Sequence, residues 1–161
     1  MAGQLAIKDN VLLTKDGKLC TTCCPPPCAD TVYQVLDCSI NGSEMIIEAC
    51  ITGPAVIHLF LSDKDCASLG WTKSVAITFD PLPGSAAFTP DTMNAAIAEN
   101  PDGDPCGEAG CNTDHQTQNI PAGVYGNFTF TISGTSNDEG ADCGIFVVDN
   151  AEHDFGCDCG G

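Results

Sequence analysis

Residues 124–133 read VYGNFTFTIS, and within them Phe128, Phe130 and Ile132 alternate with Thr129, Thr131 and Ser133. Successive side chains of an extended backbone point to opposite sides, so this alternation describes a strand with one face in a core and the other in water. Working outward, strand-like runs occupy Val32–Ile40, Glu44–Thr52, Ala55–Ser62, Ser74–Phe79 and Gly144–Val148. Asn41-Gly42, between the first two, suits a tight turn with positive φ at both central residues and predicts a hairpin there. Asp91–Glu99 (DTMNAAIAE) follows Thr89-Pro90 and ends at Asn100-Pro101, and it is the one stretch that reads as a short helix. Strands separated by turn signals predict an all-β fold, an antiparallel β-sandwich of jelly-roll or Ig-like type.

The amino terminus stands apart. Leu5, Ile7, Val11 and Leu13 fall on one side of an alternating stretch, with Lys8, Asn10 and Thr14 on the other and Asp9 as an interruption. This predicts an extended strand over residues 5–14. Cys20 to Asp30 then holds four cysteines and Pro25-Pro26-Pro27; proline lacks an N–H and fixes φ, so the segment favours stiff, extended geometry over sheet ladders. The expected organisation is an arm at 1–18, a Cys/Pro-rich linker at 19–31 and a sandwich domain at 32–161. A lone strand must satisfy its backbone and bury its apolar side somewhere, and a stiff linker directs it toward a neighbouring copy. Burial of Leu5, Ile7, Val11 and Leu13 contributes roughly 1.5–3 kcal/mol each before ordering costs. Passed head to tail, such contacts do not close and generate a filament.

The chain has 161 residues, 43% of them hydrophobic and 17% charged, which suits one packed core. Its 22 acids face 5 lysines and no arginine, for a net charge of -17. Nucleic acid and anionic membrane surfaces both need a basic footprint that this chain cannot assemble. No apolar run approaches the ~20 residues of a membrane span. All the lysines precede Ser74, with Lys8, Lys15 and Lys18 beside the arm, and this polarity favours head-to-tail contact at low ionic strength.

Twelve cysteines, Cys20, Cys23, Cys24, Cys28, Cys38, Cys50, Cys66, Cys106, Cys111, Cys143, Cys157 and Cys159, are an even and dispersed set. That distribution favours disulfides and an oxidising, extracellular setting. The alternative is a structural zinc held by Cys20, Cys23, Cys157 and Cys159. Met1-Ala2-Gly3-Gln4 carries neither the basic nor the apolar region of a signal peptide, so the expected extracellular location implies prior processing, unconventional export or release by lysis.

Residues 100–115, NPDGDPCGEAGCNTDH, bring Asp102, Asp104, Glu108 and Asp114 together on a glycine-rich stretch, a donor set that suits Ca²⁺ as the one cofactor. The plain alternative is a solvated acidic loop. Asn41-Gly42-Ser43 and Asn127-Phe128-Thr129 are glycosylation sequons. No nucleophile elbow, P-loop, dinucleotide-binding or zinc-protease motif occurs, and His58, His115 and His153 are scattered, so no enzyme is expected. His58 reads as a structural strand histidine; His115 and His153 read as loop residues able to ligate a metal.

The apolar arm QLAIKDNVLLT joined to an antiparallel sandwich resembles donor-strand fibre subunits such as chaperone–usher pilins, and jelly-roll fibril proteins of environmental microbes. The stretch LLTKDGKLCTTCC is similar to the opening of Cys-rich proteins of phages and environmental bacteria. The resemblance implies a subunit of an extracellular fibre or virion appendage, with other copies of itself as partner and no active site. The competing expectation is a secreted, calcium-dependent module that binds glycans.

Overall fold

The computed structural model describes residues 6–8, 11–13, 28–36, 44–63, 70–97, 112–135, 142–153 and 155. Its strands are β1 (Ala6–Lys8), β2 (Val11–Leu13), β3 (Val32–Val35), β4 (Met45–Thr52), β5 (Ala55–Asp63), β6 (Trp71–Pro81), β7 (Met93–Ile97), β8 (Asn112–Ile120), β9 (Tyr125–Gly134) and β10 (Asp142–Asp149). Two antiparallel four-stranded sheets, in the orders β3-β10-β5-β8 and β4-β9-β6-β7, pack face to face. The pairings nest: β3 with β10, β4 with β9, β5 with β8 and β6 with β7. A long hairpin of four strand pairs has been rolled up, so that β10 also meets β5 and β9 also meets β6. This order selects the jelly roll over the Ig-like alternative.

Alternation on β9 fills the core as its sequence requires. Phe128, Phe130 and Ile132 are fully buried, and Phe130 meets Phe146 of β10 across the sandwich with ring centroids 5.0 Å apart. Opposite them on β6, Val75 and Ile77 face inward in register with Ile132 and Phe130. Farther along the same face of β6 lies Lys73, only 1% exposed. Its Nζ donates to the Thr135 carbonyl at 2.8 Å and sits 5.6 Å from the centre of the Trp71 ring.

Each side of the sandwich has its own closure. On one, Cys28 is joined to Cys50, Asp30 N donates to the Cys50 carbonyl, and Cys50 N donates to the Asp30 carboxylate, so that residues 28–30 run along the outer edge of β4. On the other, β7 and β8 end their sheets near one another and exchange side-chain bonds. Ala96 N donates to Asp114 Oδ2 at 2.8 Å, and Asp91 N donates to Gln118 Oε1 at 3.3 Å.

Several sequence expectations are corrected. Residues 91–99 do not form a helix: Met93, Ala95 and Ile97 are buried and alternate with exposed Asn94 and Ala96, a period of two that the sheet enforces over the helix propensity of alanine. β3 and β4 do not pair with each other as the expected hairpin requires, because they belong to different sheets and pair with β10 and β9, while Asn41-Gly42 itself lies outside the described residues. The arm is not one continuous strand. β1 and β2 pair antiparallel, Lys8 opposite Val11, around Asp9-Asn10, residue types that favour a tight turn.

The Cys28–Cys50 link spans 22 residues. Replacing both cysteines with alanine should lower unfolding stability by about 3 kcal/mol, the loop-closure value for such a span. Urea melts of the non-reduced double variant test this; a midpoint equal to that of the parent would show that the link contributes nothing.

Candidate functional site

β5 reads AVIHLFLSD, apolar almost throughout, and its burial explains why. Ile57, Leu59 and Leu61 enter the main core, yet the opposite face, His58, Phe60 and Ser62, is also buried. β10 repeats the pattern: Phe146 and Val148 point inward, while Ile145 and Val147 form a second small core with Phe60 on the outer face. Strands buried on both faces carry near-continuous apolar runs. The cover on the outer face includes the chain that follows β10. Phe155 lies against that small core and stacks on Phe60, ring centroids 5.0 Å apart.

Three imidazoles gather around this cover. His58 projects from the outer face of β5. On β8, His115 stands opposite Phe60 in register, and its Nε2 lies 3.1 Å from His58 Nδ1. His153, from the returning segment, stacks on Phe155 at 5.3 Å and meets His58 edge-on at 5.3 Å. Its Nε2 lies 2.8 and 2.9 Å from the two oxygens of Asp149. His58 is 7% exposed, and its Nε2 has no hydrogen-bond partner among the described residues.

The electrostatics favour neutral rings. Burial, reinforced by the nearby His115 and His153, holds His58 below the ordinary imidazole value, and Asp149 opposes this. Burial is also the main cause for His115, with His153 adding to it and Asp114 opposing. Two neutral rings 3.1 Å apart share one proton, one nitrogen donating and the other accepting.

Sequence reading missed this cluster, because 57 residues separate His58 from His115 and only the β5·β8 register brings them together. One signal was available, a histidine inside an apolar run that has no polar face of its own. His115 was assigned to a loop, and it lies instead on an edge strand.

The residues singled out earlier are placed as follows. Asp114 accepts from Ala96 N through Oδ2 and from Gln116 Nε2 through Oδ1, so both its oxygens have protein partners. Asn127 is exposed on β9, between Cys50 and Asp80 of the neighbouring strands. Ile7 pairs with Leu12, and Val11 and Leu13 lie on β2. The backbone of Cys143 pairs with Ser62 on β5. Leu5, Asn41, Asp102, Asp104, Glu108, and Cys20, Cys23, Cys24, Cys38, Cys66, Cys106, Cys111, Cys157 and Cys159 lie outside the described residues. Among the described residues no group of three or more His, Cys, Asp or Glu side chains is placed to hold a metal ion. Compared with protein-family models, curated proteins and solved structures, the chain matches none.

Lowered imidazole pKa values fix the sign of a pH effect. The unfolded chain takes up protons near the ordinary imidazole value of about 6.5 while folded His58 and His115 resist until lower pH. Their contribution to stability is therefore full above about pH 6.5 and is lost as pH falls through the lowered values. His115→Gln should flatten the drop in melting temperature between pH 7.5 and 5.0 relative to the parent. Parallel pH profiles for the two proteins would contradict the assignment.

Proposed function

We propose that this protein is a structural subunit of an extracellular helical fibre or virion appendage, in which copies join head to tail by donating the N-terminal strands. The observation that carries this reading is that β1 and β2 form a sheet of their own which, among the described residues, is hydrogen-bonded to neither sheet of the sandwich. A two-stranded sheet with three residues a strand is not stable alone in water, and its apolar residues need a further surface.

An acceptor is available on another copy. Of the four strands that end the body sheets, β7 and β8 bond to one another through side chains, and residues 28–30 cover part of β4. Among the described residues β3 pairs only with β10; it carries no lysine or proline to block its outer edge, and it presents Tyr33 at 65% and Val35 at 41% exposure. Ile46 of β4, 62% exposed, adds apolar surface. Donated strands on this edge would satisfy backbone groups and apolar surface together, and disulfides such as Cys28–Cys50 would keep each unit folded outside the cell. The calcium-dependent alternative gains nothing from Asp114, whose oxygens are already bonded within the fold.

Deletion of residues 1–14 tests the reading. Light scattering should show large assemblies for the full chain, more readily at low salt, and monomers for the deletion. A full chain that stays monomeric, or a deletion that assembles as the parent does, would overturn it.

A further inference from the structure

The second feature that the fold builds, independent of assembly, is the cover on the outer face of the β3-β10-β5-β8 sheet. The chain after β10 returns over this face, with Phe155 stacked on Phe60 and His153 stacked on Phe155. We propose that the returning segment is an acid-released latch, closed over the sheet while His58 and His115 are neutral and opened when both are protonated.

Three features of the closed form set the direction. His58 Nδ1 and His115 Nε2 are 3.1 Å apart, a contact that needs one donor and one acceptor. With both rings charged every ring nitrogen is a donor, and the contact becomes a repulsion. Second, His58 Nε2 is buried with no partner among the described residues. A charged His58 carries a proton there that nothing receives until the cover lifts and water enters. Third, no carboxylate bonds to either ring. The charges acting on the pair come from Asp114 of β8, Asp149 at the end of β10, and His153. Asp114 accepts from Ala96 N and Gln116 Nε2, and Asp149 holds Ala151 N and His153 Nε2. Asp63 and Asp142 stand opposite each other at the far end of β5 and β10, Glu152 is exposed, and β3 brings only the Tyr33 hydroxyl. Burial, the main cause, holds both rings below the ordinary imidazole value while the cover is closed. Opening returns them to water and toward that value. Opening therefore takes up protons and is favoured as pH falls, by about tenfold per pH unit for each ring that gains one.

The segment is built to lift as a unit. The bonds from Asp149 to Ala151 N and His153, and the stacking of His153 on Phe155 at 5.3 Å, are local to it and survive the movement. Its contacts with the sheet are between rings: Phe155 meets Phe60, His58 and His115, and His153 meets His58. Among the described residues no backbone hydrogen bond joins residues 150–153 or 155 to a strand. Lifting uncovers the small core of Phe60, Ile145 and Val147. Ile145 and Val147 pair with Val35 and Tyr33, which are exposed on the same face. The open form thus presents an apolar strip across β5, β10 and β3, of which the closed form shows the β3 edge.

Hydroxyl-radical footprinting of the full chain, read by mass spectrometry below the melting transition, tests this, because it reports side-chain exposure at pH 7.5 and 5.0 alike. Labelling of Phe60 should rise about fivefold or more between the two, while Phe130 of the main core stays protected. His115→Gln, at an exposed position, removes one of the two charges and should shrink that rise about threefold or more. Phe155→Ala removes the cover itself, so Phe60 should label at pH 7.5 as fast as it does in the parent at pH 5.0. Phe60 labelling that ignores pH, or that rises only together with Phe130, would overturn the proposal. So would an undiminished rise in His115→Gln, or a Phe60 that stays protected in Phe155→Ala.

Discussion

Phe130 of β9 against Phe146 of β10, ring centroids 5.0 Å apart, is the contact through which two sheets become one core. Everything else in the body is arranged so that these two central strands can face each other. β9 lies between β4 and β6, and β10 between β3 and β5, so that Phe130 stands between Ile47 and Ile77 and Phe146 between Gln34 and Leu59. The consequence is a chain whose middle is over-determined and whose edges are not. At the edges, polar contacts take over from apolar packing: Asp114 and Gln118 tie β8 to β7, and Asp30 ties the linker to β4. Edge strands that satisfy their neighbours in this way offer no template to another chain. Among the described residues β3 shows no such contact on its outer edge.

Where apolar side chains alternate or run unbroken between turn signals, the sequence is legible. β9 is found by its alternation, and β5 and β10 by their apolar runs, each within a residue or two of its ends. β8 escaped because its inward positions are Asp114, Gln116 and Gln118, with only Ile120 apolar, so nothing in its pattern separates it from the acidic stretch before it. β7 escaped for the opposite reason. Met93, Ala95 and Ala96 carry helix propensity, and the period of two is visible only once Met93, Ala95 and Ile97 are seen to share the core. The expected β3–β4 pairing failed because turn chemistry reports a possible reversal without saying which strands flank it, and in a jelly roll consecutive strands often cross between sheets.

The histidine cluster was illegible for a different physical reason. Local propensity and periodicity describe what a residue does to its own segment, whereas the cluster exists only through the β5·β8 register and the return of the chain over the sheet. The double-sided burial of β5 was nonetheless written in its composition. A strand in which His58 is the only polar residue between Ala55 and Leu61 has to be covered on both faces, and the cover must then tolerate or use an imidazole.

Charge placement joins these features. The one lysine among the described body residues, Lys73, is buried against Trp71 and the Thr135 carbonyl, so it adds no positive charge to the surface. The body therefore presents an acidic exterior, and a field of that sign raises the local concentration of cations of every kind. Such a field attracts without discriminating, because exposed carboxylates surrounded by water hold hard and borderline ions alike only loosely.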